Sequence, residues 1–319
     1  MSEQNIIVLG AGYGGITAAL RLARLFRSDP GCRIYLIDRN HYHTLKTQLH
    51  EAAVREVQVS IPIERLVRGL GIEFERAELT GIDPTARRIQ TTAGEFKFDY
   101  LIVALGSQAN FYGIPGLERY SMPLQSLDDA RAIHAHILDV CRDARAEPDT
   151  ERRAGMLRFV IGGAGLSGVE FAAELAEYLD VCLGHDSALR SEATIIMVEG
   201  SPHIVPQMKE AVSRRIQERL SGKGVESLTE TRIIEVKPDS VALSTGRVIR
   251  ARTVVWTGGI RVADLVRESG LRTGALGRVI VDRYLMADGC PGVYAIGDSA
   301  LAMNPATGAP VPAAAQFAL

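Results

Sequence analysis

Gly10-Ala11-Gly12-Tyr13-Gly14-Gly15 and Gly163-Ala164-Gly165-Leu166-Ser167-Gly168 are two copies of one pattern, G-x-G-x-x-G, and the repeat decides the fold. Each copy follows a short apolar run rich in β-branched residues, Asn5–Leu9 and Phe159–Gly162, which reads as a buried strand. After the first copy, Ile16, Ala19, Leu20 and Ala23 recur at helical spacing; after the second, Val169, Ala172, Ala173 and Ala176 do so. A further apolar strand closes each unit, Arg33–Ile37 ending on Asp38 and Thr194–Val198 ending on Glu199. Strand, glycine turn, helix and strand make a βαβ unit. In such a turn the first glycine permits the tight bend, the second lets the backbone approach a pyrophosphate, and the third lets helix and strand pack closely. The free N–H groups and positive dipole end of the helix then face the phosphates. A carboxylate ending the next strand accepts hydrogen bonds from a ribose diol. One copy is weak evidence; two, each with strand, helix and acid in place, predict two dinucleotide sites. The acid comes later in the second copy, which fits a longer connection through Leu183–Glu192.

Outward from the turns, residues 39–70 read as mainly helix or loop. Short β pieces follow at Ile72–Leu79, Arg88–Thr92 and Glu95–Phe98, with Ala93-Gly94 as a hairpin turn. Tyr100–Ala104 is another buried strand, leading into Leu105-Gly106-Ser107. Residues 126–147 read as a helix that Ser126 caps, with Asp129 at near capping-box spacing. The charged stretch Glu147–Gly155, with Pro148, reads as an exposed loop. Beyond Glu199 come a helix near Lys209–Lys223, β pieces at Arg232–Val236, Ser240–Ser244 and Val248–Arg250, and strands at Val254–Thr257, Val279–Val281 and Val293–Ile296, the last ending in Gly297-Asp298. The expected class is α/β: two Rossmann-like domains with central parallel sheets and small antiparallel sheets.

At 319 residues the chain suggests two domains. Its formal net charge of −2 gives no basic excess to hold nucleic acid. No apolar run is long enough for a membrane span, and Met1–Gly10 enters a strand without the features of a signal peptide. His41, His43 and His50 read as ordinary polar residues, since no cysteine or carboxylate accompanies them at metal-site spacing; no metal is expected. Cys32, Cys141, Cys182 and Cys290 are far apart and read as reduced, structural thiols of a cytoplasmic protein, with Cys182 in a helix core and Cys290 in a turn before Pro291.

With these motifs in order, the whole chain resembles the two-dinucleotide-binding-domain flavoproteins. That group includes disulfide reductases, apoptosis-inducing-factor-like proteins, sulfide:quinone oxidoreductases and type II NADH dehydrogenases. Tyr100-Leu101-Ile102-Val103-Ala104-Leu105-Gly106-Ser107 resembles the group's middle motif near FAD, and Val293-Tyr294-Ala295-Ile296-Gly297-Asp298 its C-terminal flavin motif. Within the group the pattern is most similar to type II NADH dehydrogenases. The segments that carry this are Asp38-Arg39-Asn40-His41-Tyr42-His43, Leu49-His50-Glu51, Gly168-Val169-Glu170, Trp256-Thr257-Gly258-Gly259 and Ala313-Ala314-Ala315-Gln316.

The resemblance implies FAD at Gly10, Gly12, Tyr13, Gly14, Gly15, Asp38, Arg39, Thr47, Ala104, Leu105, Gly106, Gly297, Asp298 and Ala315. It implies NADH at Gly163, Gly165, Leu166, Ser167, Gly168, Glu199, Thr257, Gly258 and Gly259, with Glu170 and Gln316 beside the reaction. The expected FAD domain is residues 1–118 and 278–319, with an NADH domain, 119–277, inserted in it. A hydride would pass from nicotinamide C4 to flavin N5, and the electrons onward to a quinone. Family members continue past the segment matching Gln316, so the end at Leu319 reads as a truncation or as a short variant, in either case without the family's membrane-attaching region; a homodimer is among the expected assemblies.

Two further expectations concern chemistry. Asp38–Ala53 holds no cysteine and the second domain no C-x-x-C, which argues against disulfide reduction. The alternatives left are a slow, apoptosis-inducing-factor-like NADH-binding flavoprotein and a sulfide:quinone oxidoreductase-like enzyme. Glu199 repels a 2′-phosphate, and Gly200-Ser201-Pro202 offers no arginine to receive one, so NADH is expected over NADPH.

Overall fold

The first apolar run, observed as Gln4–Leu9, is the central strand of a five-stranded sheet in a computed structural model that describes residues 4–184, 186–312 and 318. Its strands run Val293–Ala295, Tyr100–Val103, Gln4–Leu9, Cys32–Asp38 and Ile72–Arg76, all parallel. The second repeat builds the same object. Its sheet runs Met122–Pro123, Thr253–Trp256, Arg158–Gly162, Thr194–Val198 and Val225–Leu228, again all parallel. Each sheet has a three-stranded antiparallel companion: Leu79–Asp83, Arg88–Thr91 and Gly94–Lys97 for the first, Ile233–Lys237, Ser240–Leu243 and Val248–Arg250 for the second.

The central parallel strands are largely apolar because both faces are covered. Val8 and Leu36 pack with Ile16 and Ala19 of the helix Tyr13–Leu25 and with Ile63 and Val67. The alternate residues Ile7, Leu9 and Ile37 face the other way, toward Ile82, Ile89 and Phe98 of the antiparallel layer. In the second repeat Val160, Ile196, Val198 and Trp256 meet Ile233, Val236, Val241 and Ile249. Each fully buried side chain of this size contributes roughly 1.5–3 kcal/mol.

Contacts divide the chain into two compact units. One comprises Met1–Leu45, Ser60–Gln108 and Ile260–Leu319; the other comprises Lys46–Val59 and Ala109–Gly259. The sequence reading drew the inserted domain over 119–277, whereas Val262, Val266 and Leu271 belong to the core of the first unit.

Several local readings need correction. Residues 39–70 contain a β-ladder, Tyr42–Thr44 with Ser60–Pro62, besides the short helices Leu49–Ala52 and Ile63–Val67. The expected loop 147–155 holds the helix Thr150–Met156, because Asp149 accepts from Arg152 N at 3.0 Å and caps it. Arg153 then donates twice to Glu192, each bond 2.8 Å. Val225–Leu228 was not foreseen as a strand. The helix Leu166–Leu183 buries Gly168, Phe171, Ala172, Leu175, Ala176 and Leu179, so Val169 and Ala173 lie off its deepest face. Packing of Gly168 against the carbonyl of Gly163 sets that phase. Cys182 is half-buried near the end of this helix, while Cys141 is the buried thiol.

Candidate functional site

The two glycine turns are held in the same way. Gly10 has φ +96° and Gly163 φ +98°, a left-handed conformation that favours glycine. Gly10 N donates to Ile37 O at 2.8 Å, and Gly163 N donates to Val198 O at 2.8 Å. The strand register pairs Leu9 with Ile37 and Gly162 with Val198, which brings each acid level with its turn. Asp38 Oδ2 accepts from Ala11 N at 2.7 Å, and its Oδ1 accepts from Asn40 N at 2.7 Å. Glu199 Oε2 accepts from Ala164 N at 2.8 Å, and its Oε1 accepts from Ser201 N at 2.9 Å. Each carboxylate therefore fastens the second residue of its glycine turn and keeps lone pairs for a diol.

The middle glycines test whether dinucleotides fit. Gly12 and Gly165 have extended backbone, and a Cβ on either would meet no described protein atom within 4 Å. The open space left at both positions is what close approach of a pyrophosphate would need. The third glycines differ: a Cβ on Gly15 would strike the carbonyl of Gly10, and one on Gly168 the carbonyl of Gly163. The helices Tyr13–Leu25 and Leu166–Leu183 begin at Gly12 and Gly165 with no side-chain cap and no acid in the first turn. Ser126, Asp149 and Asp186, by contrast, cap the helices that follow them. Helix N-termini that no described side chain caps suit phosphate oxygens.

Around the first turn, His43 is buried, with Nδ1 2.7 Å from Ala11 O and its ring edge-on to Tyr13. Ala104 packs on Gly10, and Ala104 N donates to Leu9 O at 2.8 Å. Gly106 has φ +69° and Gly297 φ +60°. Ser107 donates to Asp298 Oδ2 at 2.7 Å, so the two flavin-like motifs meet, and Leu105 packs on the core beside them. A Cβ on Gly14 would come 3.3 Å from Ile296 Cδ1, in the same motif. Arg39 is exposed. Thr47 lies in the turn Lys46–Gln48, which groups with the second unit rather than with the first turn. Ala315 and Gln316 lie outside the described residues. No sequence signal points to Arg278, which is buried and donates from Nη1 to Val311 O at 3.0 Å. Burial lowers its pKa, opposed by the nearby Asp298 carboxylate, and its Nε finds no partner among the described residues.

Around the second turn, Thr257 Oγ1 lies 2.8 Å from Gly163 O, to which it donates, and Gly258 packs against Gly163. Gly259 O accepts from Asn110 N at 3.0 Å. Leu166 and Ser167 open the helix, exposed. Glu170 follows on it, 46% exposed, with Oε2 3.5 Å from His50 Nδ1. Partial burial pushes the Glu170 carboxyl above its ordinary pKa, and the charge of His50 opposes that. Farther along, Arg55 pairs with Glu174, so residues 46–59 are stapled to this helix at two points. That pairing of His50 was invisible in the sequence, where it read as one polar residue among three histidines. Arg232, exposed and following Thr231, carries no sequence signal either.

Fold and turns together define the class: the chain belongs to the pyridine nucleotide-disulphide oxidoreductase family, whose pattern matches residues 4–318. Within it, the chain falls among the type II NADH:quinone oxidoreductases. It is 30% identical to the Type II NADH:quinone oxidoreductase of Staphylococcus saprophyticus over 324 residues, 99% of this chain and 79% of that protein. The Staphylococcus aureus protein of the same name is 29% identical over 325 residues, with the same coverage. Among solved structures, NDH2 from Plasmodium falciparum in complex with NADH superposes with a TM-score of 0.83 at 23% identity, over 93% of this chain and 64% of that one. The sulfide:quinone oxidoreductase of Aquifex aeolicus gives 0.78 at 20% identity, over 99% of this chain and 74% of that one. At these identities the two structures bear on the fold alone. The chain spans just under two thirds of the Plasmodium protein's length.

Proposed function

We propose that this chain is an FAD-dependent NADH dehydrogenase that delivers its electrons to a quinone. FAD would lie on the first glycine turn, held by Gly10, Gly12, Gly14, Gly15 and Asp38 and reached by Asp298. NADH would lie on the second turn, held by Gly163, Gly165, Gly168 and Glu199. One observation carries the reading: two uncapped helix N-termini, each beside a carboxylate bonded to its own glycine turn. Two sites of this kind suit two dinucleotides, and a donor–acceptor pair of dinucleotides is a hydride-transfer couple. Bound FAD supplies the two-electron acceptor. The chain supplies amide donors for phosphates, carboxylates for sugars, and the Glu170–His50 pair as a place to hold a proton. Reduction of a quinone takes two electrons and two protons, and a carboxyl whose pKa burial raises suits that need.

The acceptor rests on the staphylococcal relatives, whose name specifies a quinone. Quinones of respiratory chains partition into lipid, so we place the encounter at the cytoplasmic face of a membrane. No described helix is long and apolar enough to cross one.

The test is anaerobic. NADH is expected to bleach the visible flavin band of the holoprotein, and a soluble quinone to restore it within one turnover. No bleaching by NADH overturns the reading. Bleaching with a persistent long-wavelength band and no response to quinone would overturn the acceptor and favour a slow NADH-binding flavoprotein.

A further inference from the structure

Beside Glu199 lies a cleft of about 250 Å³ lined by Gly200, Pro202, Glu230, Arg232 and Ser244. Backbone pairing builds it. Thr231 N donates to Glu199 O and Glu230 N to Ser201 O, both at 2.9 Å. Glu230 stands at φ +50°, which turns the chain back against the strand end. Arg232 N donates to Ser244 Oγ at 3.0 Å, fixing the start of its side chain. The side chain then runs along Gly200: a Cβ placed there would lie 3.4 Å from both Cγ and Nε of Arg232. Among the described residues the Arg232 guanidinium makes no hydrogen bond and no ion pair, although Glu230 lines the same cleft. It is an exposed, unspent cation alongside Gly200, the residue that follows Glu199.

We propose that Arg232 is a nucleotide-selecting residue of the second site, which would receive a 2′-phosphate on the adenosine, with Glu199 as the group that opposes it. This rests on the reading of the second glycine turn as the NADH site. In dinucleotide folds an acid at the strand end takes the ribose diol, and an arginine nearby takes the 2′-phosphate. Here both are present. Selection is then a balance of two charges rather than the exclusion that Glu199 alone would impose. NADPH is admitted at reduced affinity, and removing the charge of Glu199 without removing its acceptor oxygen tips the balance. Glutamine does that for the bond from Ala164 N, while its single amide oxygen gives up the bond from Ser201 N. The exposed setting limits the gain to that of a solvated, bidentate guanidinium–phosphate contact.

The experiment titrates the holoprotein with two probes that carry no hydride, 5′-AMP and adenosine 2′,5′-bisphosphate, by calorimetry at low ionic strength. Glu199→Gln is expected to raise affinity for the bisphosphate about tenfold while weakening that for 5′-AMP. Arg232→Ala is expected to lower affinity for the bisphosphate about tenfold and to change that for 5′-AMP less than about threefold. In Glu199→Gln/Arg232→Ala the gain should vanish, and Arg232→Lys should retain part of it. Equal loss for both probes in Arg232→Ala would overturn the proposal by making the arginine a general contact; so would unchanged binding of both. If the parent binds neither probe, the dinucleotide reading of this site fails first. Flavin bleaching by NADH, with NADPH in parallel, separates these cases: bleaching by NADH with no bisphosphate effect leaves the enzyme's function standing and this proposal refuted.

Discussion

A single glycine can serve the fold or the ligand, and the two turns contain both kinds. Gly15→Ala places a methyl group against the carbonyl of Gly10, and no side chain there can move aside. It should cost about 3 kcal/mol or more, seen as a large drop in the thermal midpoint of the apoprotein. Gly12→Ala meets no atom of the described residues. Its apoprotein should melt close to the parent while FAD affinity falls at least about tenfold, by flavin-release titration. Equal melting losses in both variants would refute the distinction.

Glu170 yields a prediction of pH dependence. Burial raises its pKa in the folded protein, so the folded state holds the proton more tightly than the unfolded chain does. The stability this contributes is present below the ordinary glutamate range and is lost as pH rises through the raised value. Glu170→Gln should therefore raise the thermal midpoint at neutral pH, and the gain should shrink toward zero on acidification into that range. A midpoint lowered at neutral pH would mean that the attraction of His50 outweighs burial.

Among the elements, the long helix Leu127–Ala146 was the most legible, because its start obeys local rules. Ser126 Oγ accepts from Asp129 N at 3.1 Å, and Asp129 Oδ2 accepts from Ser126 N at 2.8 Å. Ser126→Ala should cost about 1 kcal/mol in denaturant midpoint, with little change in slope. The parallel strands were legible for the same reason: an apolar run between glycines says what it is. Val225-Glu226-Ser227-Leu228 did not, since it is half polar and edges its sheet. Thr150–Met156 hid behind Pro148 and a run of charges, and its cap Asp149 stands out only once Arg153 is seen to dock on Glu192. Arg232 was illegible altogether. Its place depends on the turn at Glu230 and on pairing with residues far back in the chain.

Across the molecule, the duplicated arrangement identified the family, and the missing cysteine pair narrowed the chemistry. All four thiols are free. Burial first, and the neighbouring Cys182 thiol next, push the pKa of Cys141 up to about 12. Iodoacetamide at neutral pH should therefore leave Cys141 unmodified in the folded protein, by peptide mapping. Blocking the accessible thiols should leave flavin bleaching by NADH intact. Loss of bleaching would place thiol chemistry on the electron path and revive the sulfide-oxidising alternative. The division into units was less legible than their content, because the segments 46–59 and 260–277 group by packing partners rather than by local pattern.

Both acids at the strand ends also hold their own loops, and this constrains how such a protein can change over generations. Replacing Glu199 with a small residue surrenders sugar recognition and loop anchorage in one event, so most substitutions there would be purged before any new preference paid off. Of the one-step routes, only the amide keeps an acceptor on Ala164 while dropping the charge, and the same holds for asparagine at Asp38. Cofactor preference in this scaffold is therefore a trait with a narrow inheritance path, and descendants that switched donor should bear the mark of having passed through it.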